Sequence, residues 1–142
     1  MVGGQLSPCG AQGWPCSLQP HGMPAMKLNH LNLAVSDVQS AKSFLETYFG
    51  LDAEGKPGND LIAFLRDENG MVLTLTNIDR ANEVRYPGAF HVGFIQPSRE
   101  KVDEINQRLR EDGFEVDPPQ KLHGSWTFYF QAPGGFMVEV LC

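Results

Sequence analysis

The chain repeats itself, and the repeat sets side chains of metal-ligand type at matching points. Laying Asn29-His30-Leu31-Asn32-Leu33-Ala34 over Phe90-His91-Val92-Gly93-Phe94-Ile95 puts histidine on histidine, with apolar residues at the same alternate positions. Further on, Asn69-Gly70-Met71-Val72-Leu73-Thr74-Leu75 overlays Gly134-Gly135-Phe136-Met137-Val138-Glu139-Val140, glycine on glycine. Thr74 is thus the repeat partner of Glu139. A duplication of this kind requires both halves to build the same unit.

The unit can be read from periodicity. Residues 28–35 alternate, Leu31, Leu33 and Val35 on one face and His30, Asn32 and Ala34 on the other, which is the period of a half-buried strand. Ser36-Asp37 can cap a following helix in which Val38, Ala41, Phe44, Leu45 and Tyr48 recur at helical spacing until Gly50 ends it. Three strand signals follow, at residues 51–54, 61–65 and 71–76, with Asp67-Glu68-Asn69-Gly70 as a turn. Residues 77–89 read as a connector. The second unit then starts again with a strand at 90–95, a Ser98 cap, a helix striped by Val102, Ile105 and Leu109 up to Gly113, and strands at 114–116, 126–130 and 136–141. Asp117-Pro118-Pro119 and Pro133-Gly134-Gly135 are its turns. The expected fold is α+β: two tandem βαβββ modules, 27–77 and 90–142, forming a cupped mixed sheet around one metal site.

Residues 1–25 are rich in Gly, Pro, Ser and Gln, lack apolar periodicity, and read as a disordered leader ahead of a single domain at 26–142. Cys9, Cys16 and His21 there fit no structural zinc spacing. A net charge of −6 without a Lys/Arg stripe argues against nucleic acid, and no apolar run is long enough to span a bilayer. Three cysteines, two of them in the leader, make no disulfide framework, so a cytoplasmic location is expected.

Strand parity sets His30, His91, Thr74 and Glu139 on the face opposite Leu31, Val92, Leu73 and Val138. Two imidazoles and one carboxylate suit one divalent ion of Fe, Mn, Zn, Ni or Co with open coordination positions. Any one of the three alone is more often an ordinary strand residue. Three at repeat-equivalent positions point to metal, since buried carboxylates are rare unless paired or metal-bound. Asn32 shares the face of His30 and can hydrogen-bond a substrate oxygen, Trp126 and Phe90 are candidate pocket walls, and Arg66 is a candidate for meeting an anionic group.

From residue 27 onward the chain resembles the vicinal oxygen chelate superfamily, which includes glyoxalase I, fosfomycin-resistance enzymes, bleomycin-binding proteins and extradiol dioxygenases. The resemblance carries the metal ligands onto His30, His91 and Glu139. Where glyoxalase I has a metal-binding glutamate this chain has Thr74, a weak ligand and poor base, which disfavours that activity. The stretch from Phe128 to Glu139, with Tyr129 ten residues ahead of the glutamate across a Pro-x-Gly turn, is similar to the extradiol dioxygenase signature. The resemblance makes Tyr129 and His123 the catalytic candidates, although His123 stands closer to Tyr129 than that signature expects. The chain stops soon after Glu139, which argues against fosfomycin as substrate. The expected function is that of a metal-dependent enzyme, dioxygenase-like (an oxidoreductase) or lyase-, isomerase- or transferase-like, acting on a small molecule through vicinal oxygens. The alternative is a metal-free binding protein of the bleomycin-resistance type. A homodimer is expected; whether the modules pair within one chain or across two stays open.

Overall fold

The computed structural model describes residues 26–142; the expectations for residues 1–25 lie outside the described residues. In chain order the elements are β1 (His30–Ala34), α1 (Val38–Phe49), β2 (Ile62–Arg66), β3 (Val72–Thr76), β4 (Val92–Ile95), α2 (Arg99–Glu111), β5 (Gln120–Leu122), β6 (Ser125–Gln131) and β7 (Met137–Leu141). Both helices start where the sequence offers a side-chain acceptor for an orphan amide. The Asp37 carboxylate accepts from Ser40 N at 2.9 Å and Ser98 Oγ from Lys101 N at 3.4 Å. Gly50 ends α1 in the left-handed conformation, its N–H bonding Leu45 O.

The strands form two sheets, ordered β1-β3-β2 and β4-β7-β6-β5, each with one parallel pair and the rest antiparallel. Their registers agree with the duplication residue by residue. Leu31 pairs with Leu73 as Val92 pairs with Val138, and Phe64 lies across from Thr74 as Tyr129 lies across from Glu139. Each sheet buries the aliphatic parity of its strands under a helix, through Leu33, Leu75 and Leu65 in the first module and Val138, Val140 and Phe128 in the second. Among the described residues no helix is long and apolar enough to cross a membrane.

Two strand expectations are corrected. Residues 114–116 are not a strand: Phe114 N closes the end of α2 on Leu109 O, and its ring packs on Phe44 at 5.5 Å. Pro118 and Pro119 have no N–H to donate, so the outer ladder begins only at Gln120, which pairs with Thr127. Residues 51–54 likewise reduce to one bridge, Asp52 to Arg66, because the chain turns away at Glu54 with φ of 52°.

The modules are joined through α1 rather than through their sheets. Phe44 meets Phe130 at 5.8 Å, Phe49 stacks on Phe94 at 4.0 Å, and Tyr48 Oη donates to Asp112 Oδ2 at 2.5 Å. The β6–β7 turn docks on the first module through Ser36 N to Gly134 O at 2.9 Å. A Cβ on Gly134 would lie 3.1 Å from both Ala41 and Val35, and its φ is +93°, so only glycine allows this approach. The edges of β1 and β4 flank a cleft of about 530 Å³, lined by Leu31, Leu73, Val92, Phe94 and Phe49. No ladder joins the two sheets among the described residues.

Candidate metal centre

Glu139 projects from β7 onto the open face of the second sheet, and its two oxygens have different partners. Oε1 accepts from Tyr129 Oη at 2.5 Å and, at 3.1 Å, shares the Thr127 hydroxyl with the Val140 carbonyl at 2.9 Å. Both donors come from β6 residues of the same parity, Tyr129 directly across the ladder from Glu139. Oε2 faces His91 Nε2 at 3.2 Å. The other ring nitrogen of His91, Nδ1, lies 3.0 Å from the Ala89 carbonyl, which can only accept, so Nδ1 carries the proton. In neutral His91 the Nε2 lone pair then confronts a carboxylate oxygen. A shared cation or proton between the two relieves that repulsion, and a carbonyl behind the distal imidazole N–H is how metal-binding histidines are oriented. The residues fit a divalent ion.

His30 is arranged in the same way, its Nδ1 3.1 Å from Asn29 Oδ1, which leaves Nε2 outward from the exposed start of β1. It stands on the other sheet. Among the described residues no three His, Cys, Asp or Glu side chains gather as a ligand group, so one chain assembles His91 with Glu139 but does not add His30.

The profile of the Glyoxalase/Bleomycin resistance protein/Dioxygenase superfamily matches residues 27–140. The chain belongs to that superfamily. A similar solved structure is that of a possible glyoxalase from Bacillus cereus, at 53% identity and TM-score 0.74 over 83% of this chain and 100% of that one. A lactoylglutathione lyase from Agrobacterium tumefaciens shares the fold at 21% identity and TM-score 0.65, over 84% of this chain and 95% of that one. The oxidase ChaP-H1 is similar at 25% identity and TM-score 0.62, over 82% of this chain and 95% of that one. No curated protein sequence matches.

Against this superfamily frame the remaining candidates separate. Tyr129 lies across the ladder from Glu139, and its phenol is pushed up to about 12, first by the hydrogen bond to Glu139 and then by burial. It stays protonated near neutrality and acts on the carboxylate as a donor. Asn32 lies on the open face of the first sheet, its Oδ1 accepting from Thr76 Oγ1 at 2.8 Å. Arg66 shares that face and is paired through Nε with Glu54 Oε1 at 2.6 Å, both side chains half-exposed. Trp126 and Phe90, expected in the pocket wall, lie on the wrong side. Trp126 is one residue off the parity of Tyr129; its Nε1 donates to Asp103 on α2 at 2.8 Å and Arg99 covers its ring at 4.8 Å. Phe90 stacks on Tyr86 at 4.4 Å against the core, and the Tyr86 hydroxyl donates to the Ala34 carbonyl. His123 occupies the β5–β6 hairpin turn, six residues before Tyr129 and so roughly 20 Å away along the strand.

Thr127 is the site residue that sequence reading passed over. Its parity with Tyr129 was available, but a hydroxyl donor to Glu139 could be picked out only once the β6–β7 register was known.

Proposed function

We propose that the chain is one subunit of a metal-dependent enzyme in which His91 and Glu139 of one copy and His30 of a second copy hold a divalent ion of Fe, Mn, Zn, Ni or Co. The observation that carries this reading is the His91–Glu139 pair, oriented by Ala89, Tyr129 and Thr127, to which the described residues of the same chain bring no third ligand. A two-fold pairing lets each open face cover the other copy's, so both sites are completed by one self-complementary contact. A bound ion supplies Lewis-acid polarisation of two vicinal oxygens of a small substrate, for extradiol-type oxygenation or for a lyase, isomerase or transferase reaction. The chain's own groups do the rest. Tyr129 and Thr127 hold Oε1 so that Oε2 keeps one direction, Asn32 offers its amide beside His30, and the facing sheets exclude bulk water.

Metal analysis of mixed variants tests both halves of the proposal. His30→Ala and Glu139→Ala proteins should each lose their metal. Unfolded together and refolded as a mixture, they should regain part of it, because each mixed dimer contains one complete ligand set of its two. Failure to regain it would assign the site to a single chain, and metal-free wild-type protein that still sequesters small aromatic ligands would establish a binding protein instead. Oxygen uptake with catechols against thiol consumption with electrophiles then separates the reaction classes.

A further inference from the structure

The open face of the first module is made differently from that of the second. Across β1, β3 and β2 the row Asn32–Thr74–Phe64 occupies the positions that Gly93–Glu139–Tyr129 occupy in the second module. Ligand chemistry is replaced by a neutral hydroxyl and an apolar ring. Phe64 is 49% exposed, although an aromatic side chain in mid-strand ordinarily finds cover. Beside it lies a recess of about 280 Å³, bounded by Val72 and Arg66 of the sheet and by Asp52, Glu54 and Lys56 of the preceding loop. That size falls at about the lower end of small-molecule pockets and suits a single ring. Two acids and two bases balance there, and Arg66 is committed to Glu54 at 2.6 Å, so the recess presents no net charge to a ligand.

Asn32 lies two strands from Phe64, about 10 Å at ordinary sheet spacing, on the same face. Thr76 holds its Oδ1 at 2.8 Å, which leaves the amide nitrogen as the group Asn32 offers. We propose that this face is the recognition half of the site: Phe64 is the platform for an uncharged planar group, and Asn32, oriented by Thr76, donates a hydrogen bond to an oxygen of the same ligand. The proposal rests on the composite metal site argued above and adds what that site selects. Phe64 determines specificity, and Thr76 is a positioning residue.

Two probes share a bidentate oxygen head and differ only in a ring: benzohydroxamate and acetohydroxamate. Calorimetric titration of each into nickel-loaded dimer should show the aromatic probe bound about tenfold more tightly, from ring burial and stacking. Phe64→Ala, with Phe64→Leu in case the smaller side chain disturbs the strand, should erase that ratio while acetohydroxamate binding stays as it was. Thr76→Val should weaken both probes alike, by several-fold, and Thr76→Ser should restore them, which a purely structural threonine would not do. Metal content is measured in every sample. Equal binding of the two probes to the wild type, or a ratio unmoved by Phe64→Ala and Phe64→Leu, overturns the recognition role and leaves the metal site standing. No binding of either probe to metal-loaded wild type overturns the chelating site and this proposal with it.

Discussion

Tyr129 lies directly across the β6–β7 ladder from Glu139 and donates its hydroxyl to Oε1 at 2.5 Å. With the Thr127 hydroxyl shared between Oε1 and the Val140 carbonyl, the carboxylate is held on one side and leaves Oε2 to His91. Removing the phenol oxygen should therefore leave the fold intact and loosen the ligand. Tyr129→Phe is expected to weaken metal binding by roughly tenfold, the lower bound for losing an outer-shell partner, as read by calorimetry against a competing chelator. Wild-type affinity in that variant would reduce Tyr129 to packing.

The same hydrogen bond has a pH signature. Folding raises the Tyr129 phenol from an ordinary 10 to about 12, so between those values the folded chain holds a proton that the unfolded chain has released. Stability is thus fully retained below about pH 10 and falls as pH rises toward about 12. Denaturant midpoints of metal-free protein measured at rising alkaline pH should fall more steeply for wild type than for Tyr129→Phe. Parallel curves would show that the phenol titrates as if unfolded.

Phe44 is the aromatic centre of the joint between modules, 4% exposed and in contact with Tyr48, Phe49, Phe114 and Phe130. Phe44→Ala should lower unfolding free energy by about 3–5 kcal/mol, the range for deleting a buried aromatic side chain. Because that ring belongs to both modules, thermal unfolding followed by Trp126 fluorescence and by far-ultraviolet dichroism should still coincide in wild type. In Phe44→Ala the two transitions should separate.

His123 and Gly124 form a two-residue hairpin turn, with φ of 49° and 90°. Positive φ at both central positions favours Asn-Gly. His123→Asn should therefore keep full metal content and leave stability equal or slightly higher, while Gly124→Ala should cost about 1–2 kcal/mol. A loss of turnover in His123→Asn at unchanged stability would restore this histidine to the catalytic set, reached from another subunit.

Much of the site was legible because parity is local. Once the residues around His30, His91, Thr74 and Glu139 are read as strands, alternation alone sets all four opposite the aliphatic face; the observed registers keep His30, Thr74 and Glu139 there, and His91, one residue ahead of β4, meets Glu139 Oε2 on that face. Tyr129 was legible for the same reason. Trp126 was misjudged where parity should have warned: as an immediate neighbour of Thr127 it had to face α2, where Asp103 and Arg99 take it up. The strand expected at 114–116 failed because an apolar triplet cannot reveal whether its residues pair along a ladder or, like Phe114, fill the space beside a neighbouring helix.

By itself the sequence determined that the chain holds two like modules, where each helix begins, which face of each strand is apolar, and which side chains share the other face. All of these follow from periodicity and capping within a few residues. Only the tertiary structure decided that Glu139 is held by Tyr129 and Thr127, that Arg66 pairs with Glu54, and that His30 does not join His91 and Glu139 among the described residues. The first two follow from strand register and loop placement within a module, and the last from the packing of Phe44, Phe49 and Gly134 across the joint between modules, where residues far apart in sequence meet and no periodic pattern records the meeting.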